Sequence, residues 1–314
     1  MENQNKRIWK REIEITLTSS KLKKKKILKN GLYINVTGKK YLSSLKDEFK
    51  IDIYNLTYKE LIQIINGEYY DIEIKAGYES SIHSIFKGGI LSISNDFGEG
   101  KTNVVTILCA STIVAKFGQK KLNLTINSGV NIYSAINFIC KRAGVNNLYI
   151  DEDFKNQTLK QIESANANIT SWLDIFSNNN DYFVQSDSTG KTDVSIWSPY
   201  RKDKRFIKLN NKLITLTHGF PNLTSEGLEF YILPTFNFMP GDTIQLDKSI
   251  INITIQSKNE VYENKGFYFD ESGKYMIYTL EYNLSNRDST FEVKVNCKAR
   301  NLITKLIGER QWVN

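Results

Sequence analysis

Apolar and polar residues alternate over much of the first hundred positions, the period of a strand with one buried face. In "REIEITL", Ile13, Ile15 and Leu17 alternate with Glu12, Glu14 and Thr16. "GLYINV" repeats the pattern with Leu32, Ile34 and Val36, and "FKIDIYNL" with Phe49, Ile51 and Ile53. The period then lengthens. Thr57-Tyr58-Lys59-Glu60 has the form of a capping box, Leu61, Ile64 and Ile65 supply one apolar helical face, and Asn66-Gly67 supply a stop. Strand alternation resumes through Ile72, Ile74 and Ala76, then in "GGILSIS" and "NVVTILCAS" on either side of the turn-rich "NDFGEG". These segments predict an antiparallel barrel or sandwich with a helix laid over one opening.

The next stretch has a helical period. "NSGVNIYSAINFICKRAGV" puts Ile132, Ala135, Ile136, Ile139, Cys140 and Ala143 on one face, with Gly144 just past the end. "NITSWLDIFSNNND" predicts a second helix carrying Trp172, Ile175 and Phe176. "YFVQS" and "DVSIW" then read as a hairpin turning at Ser188-Thr189-Gly190. From about residue 207 strands return, with Pro240-Gly241-Asp242 as a clear turn. In the closing hairpin Phe291, Val293, Val295 and Cys297 face inward, and Glu292, Lys294, Asn296 and Lys298 outward. The expected fold is mainly β with an α+β insert. Its divisions are 1–118, a β-unit with a capping helix; 119–206, a small α+β middle domain; and 207–314, a second β-unit with a C-terminal tail.

The two ends echo each other. "ILSISNDFGEGKTNVVTILCA" (90–110) and "IYTLEYNLSNRDSTFEVKVNCKA" (277–299) are each a strand, a polar turn region and an alternating strand ending in cysteine near alanine. Each follows a glycine-marked strand, "GEYYDIEIKA" or "GDTIQLDKS". Repetition in matching order predicts two related β-units flanking an insert.

Composition narrows the picture little. A chain of 314 residues, 40% apolar and 12% aromatic, suits two or three packed domains. No apolar run approaches a membrane span, and the first residues lack the apolar centre of a signal peptide, so synthesis and folding in a cytoplasm are expected. The net charge of +8 is dispersed except in "KLKKKKILKN". There Lys21, Lys23, Lys24, Lys25 and Lys26 form a candidate basic contact loop for phosphate or an acidic partner. A solvated loop between strands is the alternative, since no aromatic residues interleave with the lysines.

Chemistry-bearing clusters are sparse. Cys109, Cys140 and Cys297 lie on apolar faces without metal-ligand spacing, which predicts buried free thiols. His83 and His218 lack a nearby cysteine or spaced carboxylate in sequence. Glu152 and Asp153 read as an acidic helix start before a glycosidase pair. Gly98-Glu99-Gly100-Lys101-Thr102 lacks the first glycine of a phosphate loop and sits in a hairpin turn. No catalytic, cofactor or metal site is expected. The tail "NLITKLIGERQWVN" spaces Leu302 and Leu306 helically before Trp312, either to dock on a partner or to pack back on its own unit.

Several segments together resemble the baseplate hub, or distal tail hub, proteins of tailed bacteriophages and related contractile particles. They are "RIWKREIEITL", "FKIDIYNLTYKELIQI" and "IKAGYESSIHSIFKGGILSIS", then "GVNIYSAINFICKRAGV", "NITSWLDIFSNNNDYFVQSD" and "LITLTHGFPNLTSEGLEFYILPTFNFMPGDTIQL". Their order carries the resemblance, over roughly residues 7–300; "FNFMPGD" departs from the commoner Leu-Asn-Pro-type lead-in. The resemblance implies two tube-like antiparallel β-barrel domains flanking the middle domain, and a trimer whose six units match a sixfold tail tube. Implied partners are the tail tube or a distal tail protein, a tip or spike protein, and DNA or tape-measure protein in the lumen. The implied location is the virion, after synthesis in a bacterial host. On this reading Phe86, Gly88, Gly89 and Asp242 belong to the tube wall between subunits. An ordinary bulge within one barrel is the other reading of the glycine pair. Two further functions stay open: a nucleic-acid-binding β-protein using the lysine run, with salt-dependent binding, and a cell-wall hydrolase.

Overall fold

The computed structural model describes residues 10–19, 21–29, 31–42, 45–79, 81–97, 103–180, 183–186, 193–197, 205–209, 214–215, 218–224, 227–253 and 273–299. The tail holding Leu302, Leu306 and Trp312 lies outside them, as do the Ser188-Thr189-Gly190 turn and residues 98–102.

The N-terminal strands are β1 (Arg11–Ser19), β2 (Lys24–Leu28), β3 (Tyr33–Tyr41) and β4 (Glu48–Tyr54). Helix α1 (Tyr58–Ile65) follows, and its capping box forms as the sequence predicts, with the Thr57 hydroxyl accepting from the Glu60 amide and the Glu60 carboxylate accepting from the Thr57 amide. Then come β5 (Asp71–Tyr78), the 17-residue β6 (Ser81–Phe97) and β7 (Asn103–Ala110). A short helix not evident from periodicity, α2 (Thr112–Phe117), packs against β6.

The middle segment holds β8 (Lys121–Ile126), α3 (Ile132–Ala143), β9 (Leu148–Ile150), β10 (Glu163–Asn168) and α4 (Ile169–Asn180). The hairpin β11 (Phe183–Ser186) and β12 (Val194–Trp197) closes it. Helix α3 is capped by Asn131, whose side chain accepts from the Ser134 amide, and ends at Gly144 in the left-handed region, φ 99°. Beyond the sequence reading, β9 joins β12 in parallel and β10 pairs with β8. The apolar faces of α3 and α4 meet these sheets in one core containing Ile136, Ile139, Trp172, Leu173 and Phe176. The Trp172 indole N–H is not stranded there; it donates to the Leu122 carbonyl at 3.2 Å.

The C-terminal strands are β13 (Phe206–Lys208), β14 (Asn222–Thr224), β15 (Gly227–Ile232), β16 (Thr243–Gln245), β17 (Asn252–Ile253), β18 (Lys274–Ser285) and β19 (Phe291–Ala299). They continue the N-terminal sheet. A 14-stranded sheet runs β17-β14-β15-β19-β18-β3-β4-β7-β6-β5-β1-β2, with β16 beside β18 and β13 beside β16. One buried cluster spans both ends, from Ile13, Ile51 and Val105 to Phe230, Leu280 and Val295.

The echo in the sequence has a topological counterpart. The path β3-β4-β7-β6-β5 recurs as β14-β15-β19-β18-β16, with every neighbouring pair antiparallel. The registers agree in detail. Strand β6 bulges between Ile90 and Ser92, where Ile90 faces Cys109; β18 bulges between Ile277 and Thr279, where Ile277 faces Cys297. The Ile90 amide donates to the Tyr70 carbonyl at 2.9 Å, and the Ile277 amide to the Asp242 carbonyl at 2.9 Å. The units differ at their outer flank, where β1 is antiparallel to β5 but β13 is parallel to β16.

Candidate functional site

The largest construction between the two units is the seam where β18 pairs with β3 from Thr279↔Tyr41 to Ser285↔Asn35. Past β18 the chain turns onto the first unit. Asn286 accepts from the Ile34 amide at 3.0 Å and donates to the Leu32 carbonyl at 2.9 Å. Arg287 donates to the Gly31 carbonyl at 2.6 Å, Tyr33 donates its hydroxyl to the Asp288 carboxylate, and Arg11 donates to the Asp288 carbonyl. On the exposed face Lys39 pairs with Glu281 at 2.7 Å. Beneath it Tyr282 is buried, its ring centroid 5.4 Å from that of Phe49, with the Lys40 ammonium 5.9 Å from the Tyr282 ring centroid. Burial first, then the charges of Asp47 and Asp242, hold the Tyr282 phenol far above its ordinary range.

The expected wall residues sit within the chain's own packing. Phe86 is buried with its ring 4.4 Å from that of Phe49. A Cβ on Gly88 would lie 2.2 Å from the Ala110 carbonyl oxygen, and one on Gly89 would lie 2.3 Å from the Ala115 Cβ of α2. These glycines admit neighbouring elements at close range, as glycine in a strand commonly does. Asp242 is buried in the turn before β16, where it accepts from the Met239 amide at 2.8 Å and from Arg205. Beside it Gly241, at φ 89°, leaves room for Trp197 of the middle segment.

The lysine run is not wholly a loop. Lys24–Leu28 form β2, paired along β1 at the end of the sheet, because the β1 edge offers unpaired backbone groups that Lys24–Leu28 satisfy. Lys21 pairs with Glu68 at 2.9 Å and Lys26 donates to Gln63 at 2.9 Å. A shallow groove of about 390 Å³ lies between Lys24 and the end of α1, lined by Ile62, Gln63, Asn66, Gly67 and Tyr69.

The fold gives both histidines polar partners that sequence spacing missed. His83 Nε2 lies 2.8 Å from Ser81 Oγ on the same strand. His218 reaches Glu292, distant in sequence, at 2.5 Å and stacks on Tyr231 with ring centroids 3.9 Å apart. Glu152 and Asp153 start a short 3-10 helix in which Glu152 pairs with Lys155 at 2.6 Å. Among the described residues no group of three or more His, Cys, Asp or Glu side chains gathers into a metal site. No described helix is long and apolar enough to cross a membrane.

No family model matches the sequence, and no curated protein matches it. Solved structures do share the fold. The 43 kDa tail protein of prophage MuSo2 from Shewanella oneidensis aligns over 93% of this chain and 99% of its own, with TM-score 0.59 and 10% identity. A tail protein from Neisseria meningitidis aligns over 92% and 97%, with TM-score 0.58 and 8% identity. An Escherichia coli component of the type VI secretion system, described as structurally similar to bacteriophage T4 tail proteins, aligns over 85% and 73%, with TM-score 0.56 and 8% identity. The chain therefore has the mainly β fold of phage tail proteins.

Proposed function

We propose that this protein is a structural hub of a phage tail or phage-like particle. In this reading it joins the tail tube to the tip and lines the central channel as a homotrimer. Residues 1–118 and 207–314 are its two tube units and 119–206 its middle domain. The carrying observation is the duplicated strand path with matching bulges, β3-β4-β7-β6-β5 and β14-β15-β19-β18-β16. Two alike units per chain let three chains surround a channel with pseudo-sixfold symmetry. Partners on this reading are the tail tube or a distal tail protein, a tip or spike protein, and DNA or tape-measure protein in the channel. The role needs no catalysis, and the virion tail is where it would act. Phe86, Gly88, Gly89 and Asp242 hold β6 and β16 in place behind the wall.

Light scattering on the purified chain, with electron microscopy of the same sample, tests the reading. A mass near three times 36.2 kDa and rings with a central channel are expected. A compact oligomer without a channel would overturn it.

A further inference from the structure

The lysine run, which the hub reading leaves without a task, forms a sheet edge of defined geometry. Strand β2 ends the path of the 14-stranded sheet, and among the described residues β1 is its one neighbour. Its outer side presents backbone N–H and C=O groups to a further strand. Register fixes where the side chains go. Lys24, Lys26 and Leu28 stand opposite Ser19, Leu17 and Ile15, which are buried. They therefore share the face turned to α1, where Lys26 reaches Gln63. Lys25 and Ile27 take the other face, and Ile27 is 44% exposed.

The groove of about 390 Å³ lies beside this edge on the α1 face, with Ile62 and Tyr69 as apolar wall and Gln63 and Asn66 as polar rim. Ligand pockets run from about 300 to 1,000 Å³, so this one has room for a single large side chain. The charges around it are one-sided. Lys21, Lys29 and Lys26 are engaged within the chain by Glu68, Glu14 and Gln63. The Glu60 carboxylate is held in its cap by Thr57. Lys23, Lys24 and Lys25 are exposed and, among the described residues, have no acidic partner.

We infer that the outer edge of β2 binds an acidic, extended segment of another protein, which adds a strand beside Lys24–Leu28 and places one large side chain in the groove. Carboxylates on the α1 side of that strand meet Lys24 and Lys26, and apolar residues on its other side cover Ile27. Backbone hydrogen bonds hold the strand, the lysines select the sign of its charge, and the groove selects its register. Edge lysines commonly keep strands apart; here they admit a strand of opposite charge. A second copy of this chain is the wrong occupant. Two β2 edges brought together would set lysine against lysine, and each chain carries a net charge of +8. Nucleic acid would meet the lysines but leave the backbone ladder and the apolar wall unused. The inference goes beyond the hub reading and does not depend on a ring.

The probe is a fluorescein-labelled peptide, Glu-Val-Glu-Val-Tyr-Val-Glu-Val-Glu, titrated with the full-length chain by fluorescence polarisation. Its glutamates and central tyrosine share one face and its valines the other. Saturable binding is expected, weakened by salt and cut about tenfold or more by Lys24→Glu with Lys25→Glu. The same peptide with lysine for glutamate should not bind. Two N-methylated peptides test the strand itself, one blocked at the odd amides and one at the even. Only one set of amides faces β2, so one peptide should bind about tenfold more weakly and the other like the parent. Circular dichroism and thermal melting report the fold of the charge-reversed chain; if it does not fold, the methylated pair decides. Absence of saturable binding, or methylated peptides that bind alike, overturns the inference. Duplex DNA that binds more tightly than the peptide, and loses its affinity with the same lysines, overturns it in favour of nucleic acid. None of these outcomes bears on the ring experiment, which tests the hub reading separately.

Discussion

Single residues carry sharp expectations where a buried polar group has one partner to lose. Asp242 accepts from the buried Met239 amide and from Arg205. Asp242→Ala leaves that amide without its acceptor, and since Arg205 is half-exposed the expected loss is about 1–3 kcal/mol by urea denaturation. The cysteines are shielded: burial pushes the Cys109 and Cys140 thiols up to about 12, and Cys297 well above its ordinary range. A thiol reagent near pH ~8 should leave all three unmodified in the folded chain and label them in denaturant. Asp174 behaves differently. Burial raises its carboxyl, and the Lys46 charge offsets only part of that. The folded chain therefore holds this proton to higher pH than the unfolded chain, and stability falls as pH rises from the ordinary aspartate range through the folded value. Asp174→Asn should remove that slope, leaving the variant more stable than wild type near neutrality and little changed in acid, as read by thermal melting at both.

At the scale of elements, local sequence codes were clear wherever a period or a cap was complete. Helix α1 was legible in Thr57 and Glu60, and α3 in its apolar face with Gly144. Helix α2 was not: six residues are too short for a period, and its buried residue, Ile113, packs into the core of the middle segment, whose other members are distant in sequence. Strand β2 was hidden by its lysines, whose place at a sheet edge only the pairing with β1 reveals. The close approach of α2 to β6 gives an element-level expectation. Gly89→Ala brings its Cβ onto Ala115 and should cost about 1–3 kcal/mol, part of which Ala115→Gly restores in a double-mutant cycle.

The two β-units share one continuous sheet and a core that spans the seam, while the middle segment keeps sheets and a core of its own. Asn286 secures that seam at two backbone groups of the first unit. Asn286→Ala should destabilise the chain by about 1–3 kcal/mol in chemical denaturation, because the Ile34 amide loses its acceptor and the Leu32 carbonyl its donor. The polar pattern alone determined the strands' inward faces, the two long middle helices, the buried thiols and the repetition of one β-unit. These are local matters of period, cap and composition, written in neighbouring residues. The tertiary structure alone decided that β18 crosses to β3, that β9 lies parallel to β12, and that His218 meets Glu292. Among the described residues it also left Ile90–Phe97 of β6 with a strand on one side, where β18 has strands on both. Pairings between distant strands depend on backbone groups that every residue carries alike, so no side-chain pattern announces them.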